Sequence, residues 1–270
     1  MSDYSTTSQT SLGNFLFAAG GYNEAYVSSA QVFRYDPRYR EWTEVASLSK
    51  ARVSFAMCAS KNRIFAIGGV FHTIGDIENG EEILSSVEIY LPEQNCWKAG
   101  PDIPYGTFDQ AAVHCNNAVY LSGGISDLPE HTVPITSMFQ LKDGASEWSP
   151  LPDMLVPRQG HCMVNQGDKI YVMGGYTSKQ NMGGFVDCFQ NDMFDLETQQ
   201  WTTILPTPEP FGHLYRNMAY VDKKIFFLCN EDSDVYISYY DVEKDEFNKG
   251  VLITNGVHKV SVLDVAYPLT

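Results

Sequence analysis

The apolar run RIFAIGG at residues 63–69 ends in two glycines, and the chain repeats this arrangement. Matching runs are NFLFAAGG (14–21), AVYLSGG (118–124) and KIYVMGG (169–175), and a fifth, KIFFLCN (224–230), has lost the glycines. The pairs are Gly20 and Gly21, Gly68 and Gly69, Gly123 and Gly124, and Gly174 and Gly175. They recur at steps of 48, 55 and 51 residues, a period typical of repeat architectures. The sequence therefore predicts five repeated units.

In four of the five units an aromatic pair follows the apolar run. The pairs are Tyr35 and Trp42, Tyr90 and Trp97, Phe194 and Trp201, and Tyr240 and Phe247, each seven residues apart. The third unit has Phe139 and Trp148, with extra residues around Asp143–Gly144. Turn residues such as Asp36–Pro37 lie between the aromatics. Two strands joined by a tight turn explain this spacing.

A further apolar stretch precedes each later run, separated from it by a short polar link such as Lys61–Asn62. Each unit therefore holds four short strands, and the turn signals recur as hairpins require. No segment of 11 residues or more has the apolar period of a helix. Four-stranded units of about 50 residues, repeated radially, build a β-propeller. The chain is predicted to be all-β, with four antiparallel strands in each of five blades.

The order of apolar run, glycine pair, Tyr and Trp resembles the Kelch repeat over roughly residues 15–267. Glycine supplies a backbone conformation that other residues avoid, and its missing Cβ permits close packing. The resemblance implies that the Tyr and Trp rings fill space between adjacent blades. Many Kelch domains resemble six-bladed rings, so a degenerate sixth blade stays an alternative to five.

We expect residues 1–13 to form a polar linker and residues 14–270 a single propeller domain. The first unit begins at its second strand, and the chain ends with the apolar segment VSVLDVAY (260–267). We expect this segment to complete blade one and close the ring, which leaves no unpaired edge there.

Composition limits the class of protein. The 270 residues contain 18 Lys and Arg against 33 Asp and Glu, a net charge of −15. This acidity argues against a nucleic-acid binder and favours basic partners. No apolar run is long enough to span a bilayer. The six cysteines form no CxxC motif, and we expect them to be reduced in the cytoplasm, with the cytoskeleton and nucleus as alternatives.

Binding residues are expected on one face of the propeller, where loops of variable length meet the starts of the innermost strands. The acidic loop residues Asp76, Glu78, Glu81 and Glu82 belong to this face and favour a Lys- or Arg-bearing peptide. An alternative for Arg52 and Arg158 is that they brace adjacent blades. The predicted partner-binding residues are Tyr22, Arg52, Ser54, Phe71, His72, Phe108, Asp109, Arg158, Gln159, Tyr176, His213, Tyr215 and His258.

No catalytic, metal or cofactor motif is found, so we expect a binding protein and no enzyme. The resemblance implies a substrate-recognition domain of a BTB-BACK-Kelch adaptor for a cullin-3 ubiquitin ligase, which binds a short peptide motif of its substrate. Cullin-3 would be reached only through a BTB domain, and these 270 residues contain none. An actin-binding Kelch protein and a propeller enzyme such as a copper oxidase are the alternatives.

Overall fold

The computed structural model describes residues 7–23, 26–72, 81–126, 133–178, 184–208, 218–231 and 234–255, which contain strands and turns but no helix. The strands form five four-stranded antiparallel sheets. This arrangement is a five-bladed β-propeller, as the sequence predicts, and each sheet is one blade.

Blade 1 contains β1 (Ser8–Leu12), β2 (Phe15–Ala19), β3 (Val32–Asp36) and β4 (Glu41–Val45). Blade 2 contains β5 (Ala56–Ala59), β6 (Ile64–Ile67), the small hairpin β7 (Val70–Phe71) and β8 (Glu82–Ile83), then β9 (Val87–Leu91) and β10 (Cys96–Ala99). A short strand β11 (Thr107–Phe108) precedes blade 3, which contains β12 (Ala111–Cys115), β13 (Ala118–Ser122), the short β14 (Ile125–Ser126), β15 (Met138–Lys142) and β16 (Ser149–Leu151). Blade 4 contains β17 (Cys162–Gln166), β18 (Lys169–Met173), the hairpin β19 (Tyr176–Ser178) and β20 (Phe185–Asp187), then β21 (Asn191–Asp195) and β22 (Gln200–Ile204). Blade 5 contains β23 (Ala219–Val221), β24 (Lys224–Glu231), β25 (Asp234–Asp241) and β26 (Glu246–Asn255).

The hydrophobic core lies between blades. The innermost strands β1, β5, β12, β17 and β23 are neighbours in chain order. Each apolar cluster draws its side chains from two successive blades, as with Phe65 of blade 2 and Val119 of blade 3. Cys58, Cys115 and Cys162 are buried among these side chains, as expected of small hydrophobic residues. Burial raises the pKa of Cys115 to about 12.

The repeated tryptophans join blades through hydrogen bonds. Tyr90 and Trp97 are direct cross-strand partners with ring centroids 5.1 Å apart. The Trp97 indole Nε1 donates to the carbonyl of Ala46 in blade 1 at 2.8 Å. Trp148 and Trp201 make the same bond to blades 2 and 3, at 2.9 Å each. The expectation that these rings fill the space between blades is confirmed for these three tryptophans.

The glycine pairs are required by the neighbouring blade. Gly68 and Gly69 have φ values of +62° and +100°. A Cβ on Gly68 would lie 2.5 Å from the carbonyl oxygen of Thr107, which belongs to the segment entering blade 3. The Gly69 N–H donates to that same carbonyl at 2.8 Å. Only a residue with no side chain permits this approach together with a positive φ.

The predicted linker is wrong for part of its length. Ser8–Leu12 forms β1, the innermost strand of blade 1, in register with Phe15–Ala19. Sequence reasoning missed this strand because SQTSL is polar, and its residues are only half-buried. Blade 1 therefore has four strands within residues 8–45, whereas the predicted closing strand at 260–267 lies outside the described residues.

Blade 3 departs from the aromatic pattern. Strand register places Leu141 of β15 opposite Val119, just as Tyr90 of β9 lies opposite Ile64. Phe139 therefore occupies a different repeat position from Tyr90. Phe139 pairs with Pro150 across the hairpin and not with Trp148.

Candidate functional site

One side of the propeller carries the long connections. Because adjacent strands are antiparallel, the links between the second and third strands and the links between blades emerge on the same side. We call this side the loop face, and the opposite side the turn face. The hairpins β7–β8 and β19–β20 project on the loop face.

The loop face has a rigid inner rim made of main-chain hydrogen bonds. The Asp109 N–H donates to the Ser54 carbonyl at 2.8 Å, and the Gly160 N–H donates to the Asp109 carbonyl at 2.7 Å. These three residues precede the innermost strands of blades 2, 3 and 4, and all have φ between 53° and 60°. The same main-chain bond therefore joins successive blades, and it fixes the backbone from which the Ser54 and Asp109 side chains project.

The two predicted binding arginines are not on the surface. The side chains of Arg52 and Arg158 are fully buried, and each forms an ion pair with a carboxylate. Arg52 lies 2.7 Å from Glu88, and Arg158 lies 2.6 Å from Asp192. Burial lowers the pKa of Arg52, and the negative charge of Glu88 opposes that effect. The partner-binding role predicted for both arginines is therefore wrong.

These arginines are inter-blade braces. The Arg52 N–H and carbonyl bond to Ser29 and Gly21 of blade 1. Its guanidinium donates to the carbonyls of Gly68 and Ser86 in blade 2, at 2.8 and 3.0 Å. The guanidinium of Arg52 finds all its hydrogen-bond partners within the protein. Arg52 therefore braces adjacent blades, which is the alternative role that the sequence left open.

Arg158 repeats this geometry between blades 3 and 4. Its main chain bonds to Ile135 and Gly124. Its guanidinium donates to the carbonyls of Gly174 and Gln190, at 3.2 and 2.8 Å.

Gln159 is also unavailable to a partner. It is 6% exposed, and its main chain bonds in both directions with that of Tyr176. Phe108 pairs with Ile125 in the same way. The Tyr176 and Phe108 side chains are half-buried beside the rim.

The structure brings Tyr22 and His72 together on blades 1 and 2. The Tyr22 hydroxyl lies 2.6 Å from Nε2 of His72, and Nε2 of His72 lies 3.6 Å from a Glu81 oxygen. Burial raises the pKa of Tyr22, and the charges of Glu81 and Asp109 raise it further. Tyr22, His72 and Glu81 form an accessible cluster able to contact a partner.

Phe71 lies next to this cluster, with the Lys50 ammonium 5.2 Å from its ring centroid. Lys50 also pairs with Glu82. His213, Tyr215 and His258 lie outside the described residues, as do Asp76 and Glu78.

Sequence reasoning missed exposed aromatics on the loop face, among them Tyr26 and Phe185. Tyr26 is 78% exposed and Phe185 is 47% exposed. Both lie in connections between the second and third strands of a blade. A large apolar residue inside a polar loop is the signal that identifies them.

Charge differs between the two faces. Among the described residues, Lys50 is the one solvent-accessible cation of the loop face. The accessible carboxylates of that face are Glu81, Glu82, Asp102, Asp109, Asp153 and Asp187. The turn face carries the cations Arg38, Arg40, Lys61, Arg63, Lys142, Lys169, Lys223 and Lys244, mixed with acids. The loop face therefore has the potential to attract a cationic partner.

The described residues contain no group of three or more His, Cys, Asp and Glu able to hold a metal ion. Ser122 and His161 are hydrogen-bonded at 2.9 Å, but both are buried, so neither meets a substrate at the surface. Within the described part of the chain, no helix has the length and hydropathy to cross a membrane.

Comparison with known proteins agrees with this fold. Family models for the Kelch motif match residues 10–49, 51–104 and 157–206. The chain belongs to the Kelch-repeat β-propellers.

Curated relatives are Kelch-like proteins. Kelch-like protein 36 of Rattus norvegicus is 27% identical over 261 residues, which are 93% of this chain and 40% of that protein. Kelch-like protein 34 of Homo sapiens is 30% identical over 230 residues, 80% of this chain and 33% of that protein. The chain spans about 40% of the length of the first of these relatives.

A solved structure, that of YjhT, has the same fold. It superposes with a TM-score of 0.74 and 14% identity, covering 96% of this chain and 87% of that one.

Proposed function

We propose that this propeller is a protein-recognition domain whose loop face binds a short cationic motif of a substrate protein. The observation that carries the proposal is that the loop face combines an inner rim joined by main-chain hydrogen bonds with side chains that are accessible to a partner. Main-chain bonds fix Ser54, Asp109 and Gly160, while Tyr22, His72 and Glu81 on the same face stay accessible. Binding residues on a rigid scaffold lose little entropy when a partner binds.

The charges of the loop face support a basic partner. Carboxylates outnumber cations among its accessible described side chains, and the two buried arginines are neutralised by Glu88 and Asp192. Complementary charge raises association rates and discriminates against acidic partners. The exposed rings of Tyr26 and Phe185 provide aromatic anchors of the kind enriched at binding hot spots.

We further propose that the recognised protein is a ubiquitin-ligase substrate. Support comes from the match to Kelch-like proteins across most of this chain. Cullin-3 would be contacted through a BTB domain and not through the propeller, and the complex would act in the cytoplasm. No group in the described residues is assigned a catalytic role.

The proposal is tested by affinity capture from cell lysate with quantitative mass spectrometry. The loop-face variant combines Tyr26→Ser, Glu81→Lys and Phe185→Ser. The matched control combines Tyr39→Ser, Glu93→Lys and Val221→Ser, which replace an exposed tyrosine, glutamate and large apolar residue of the turn face. Thermal melting establishes that both variants fold like the parent chain.

Partners lost from the loop-face variant and kept by the control support the proposal. Loss from the control alone contradicts it. Recovery of cullin-3 substrates among the lost partners supports the adaptor role, whereas a list dominated by actin contradicts it.

A further inference from the structure

The hairpin of β7 and β8 already binds one ammonium group of this chain. Phe71 and Glu82 are direct register partners across the hairpin. The Lys50 ammonium lies 5.2 Å from the centroid of the Phe71 ring and forms an ion pair with Glu82. One aromatic ring and one carboxylate, presented side by side on the loop face, therefore hold a lysine side chain in this structure.

The next residues of the same hairpin repeat this pair without a lysine. His72 follows Phe71, Glu81 precedes Glu82, and Nε2 of His72 lies 3.6 Å from a carboxylate oxygen of Glu81. Within the described ranges, no lysine or arginine forms an ion pair with Glu81, whose side chain is 58% exposed. This second pair of ring and carboxylate is therefore accessible to a cation from another protein.

Two tyrosines of blade 1 enlarge the second pair. The Tyr22 hydroxyl lies 2.6 Å from Nε2 of His72, and the two ring centroids are 5.2 Å apart, with the ring planes at 55°. The Tyr26 ring lies 6.4 Å from the Tyr22 ring, at 52°, and Tyr26 is 78% exposed. The aromatic–acidic site, as we call this group, consists of Tyr22, Tyr26, His72 and Glu81.

Main-chain contacts fix the three aromatic residues from both blades. The His72 N–H donates to Oγ of Ser28 at 2.8 Å, and Ser28 in turn forms a β-bridge with Tyr22. The Tyr26 N–H donates to the carbonyl of Asn23 at 3.0 Å. The backbone that carries the rings is thus ordered before a ligand binds, which lowers the entropic cost of binding.

The charge around the rings is negative. After burial, the largest causes that raise the pKa of Tyr22 are the charges of Glu81 and Asp109. Two carboxylates therefore act on the same ring. The face of an aromatic ring also attracts cations, so rings and carboxylates favour the same kind of ligand.

We propose that the aromatic–acidic site binds the ammonium group of a lysine on the partner protein. This inference rests on the proposed recognition function and names the chemistry of one anchor residue. Lysine fits better than arginine, because a planar guanidinium stacks parallel to a ring and cannot lie parallel to two rings that are tilted against each other. A compact ammonium group needs no such alignment, and Lys50 shows this binding mode on the same hairpin.

The test is selection of peptides from a random library displayed on phage, with the folded propeller as the target. The affinity of each selected peptide is then measured for the parent chain and for two variants of the site, Glu81→Gln and Tyr26→Ser. Glu93→Gln and Tyr39→Ser change exposed residues of the turn face and are the matched controls. Thermal melting establishes that all four variants fold like the parent chain.

We expect the selected peptides to share a lysine. Its replacement by norleucine, which keeps the aliphatic stem and removes the charge, should weaken binding to the parent chain, and so should replacement by arginine. Glu81→Gln and Tyr26→Ser should each weaken binding by about two- to five-fold, the range of one exposed ion pair or cation–π contact. The turn-face controls should leave the affinity unchanged.

A double-mutant cycle tests direct contact. The norleucine peptide should bind the parent chain and Glu81→Gln equally well, because the interaction of the ammonium with the carboxylate is already lost. A further loss of affinity in Glu81→Gln would show that Glu81 does not contact the lysine, which would overturn the proposal.

Two other results overturn the proposal: failure to select peptides with a shared lysine, and binding of the arginine peptide as tight as that of the lysine peptide. Peptides that are lost by the loop-face variant but do not depend on a lysine would refute this inference and leave the recognition function standing. Peptides whose binding is weakened only by the turn-face variants would contradict both.

Discussion

The guanidinium of Arg52 lies 2.7 Å from the carboxylate of Glu88 in a fully buried ion pair, while the Arg52 main chain bonds to blade 1. One residue therefore ties two blades together, through its main chain to one and through its side chain to the other. Arg158 and Asp192 repeat the arrangement between blades 3 and 4. Arginines at the start of innermost strands build the scaffold that supports the loop face.

Replacement of Arg52 tests the brace. Arg52→Met leaves Glu88 buried without a counter-charge, so we expect a loss of about 3–5 kcal/mol in the free energy of unfolding. Urea denaturation measures this quantity. The double variant Arg52→Met with Glu88→Leu should recover much of the loss, because no buried charge remains. If the double variant is less stable than Arg52→Met, the uncompensated charge of Glu88 is not the cause of the lost stability.

Trp97 tests the contact between blades 1 and 2. Trp97→Ala removes the ring packed on Tyr90 and the bond to the Ala46 carbonyl, and it should destabilise the protein by about 3–5 kcal/mol. Trp97→Phe keeps part of the ring contact and should cost less. An unchanged melting temperature for Trp97→Ala would refute the packing role.

The glycine pairs provide a matched comparison. Gly68→Ala places a Cβ 2.5 Å from the Thr107 carbonyl, whereas a Cβ on Gly144 would meet no atom within 4 Å. Both glycines have positive φ, +62° and +83°. Gly144→Ala should cost about 1–2 kcal/mol, the conformational penalty alone. Equal destabilisation in denaturant titrations would show that the neighbouring blade is not the constraint on Gly68.

Sequence patterns predicted the scaffold better than the site. The glycine pairs and the Tyr–Trp spacing identify the blades because they report contacts that every repeat must make, such as Gly68 against Thr107. β1 was missed because inner-strand pairing is made by the main chain, and SQTSL has no apolar signal. The arginines were misassigned because their carboxylate partners, Glu88 and Asp192, lie more than 30 residues away. Only the fold shows that these charges meet.

Alkaline pH tests the burial of Tyr171. Burial raises the pKa of Tyr171 from 10.0 to about 12. The contribution of the neutral phenol to the free energy of unfolding has its full value below pH 10. It is lost as the pH rises towards 12, because Tyr171 of the unfolded chain releases its proton at a lower pH than Tyr171 of the folded chain. The Tyr171→Phe variant should lose stability less steeply over this range, as measured by denaturant titration at several pH values. An identical slope in the two proteins would contradict a buried, neutral Tyr171.

Hydroxyl-radical footprinting of the propeller, alone and bound to a captured partner, tests the recognition surface most directly. Tyr26 and Phe185 report the loop face, and Tyr39 reports the turn face; all three rings are exposed in the free protein. We predict that the partner protects Tyr26 and Phe185 from oxidation and leaves Tyr39 unchanged. Protection of Tyr39, with Tyr26 and Phe185 oxidised as in the free protein, would contradict the assignment of the loop face as the binding site.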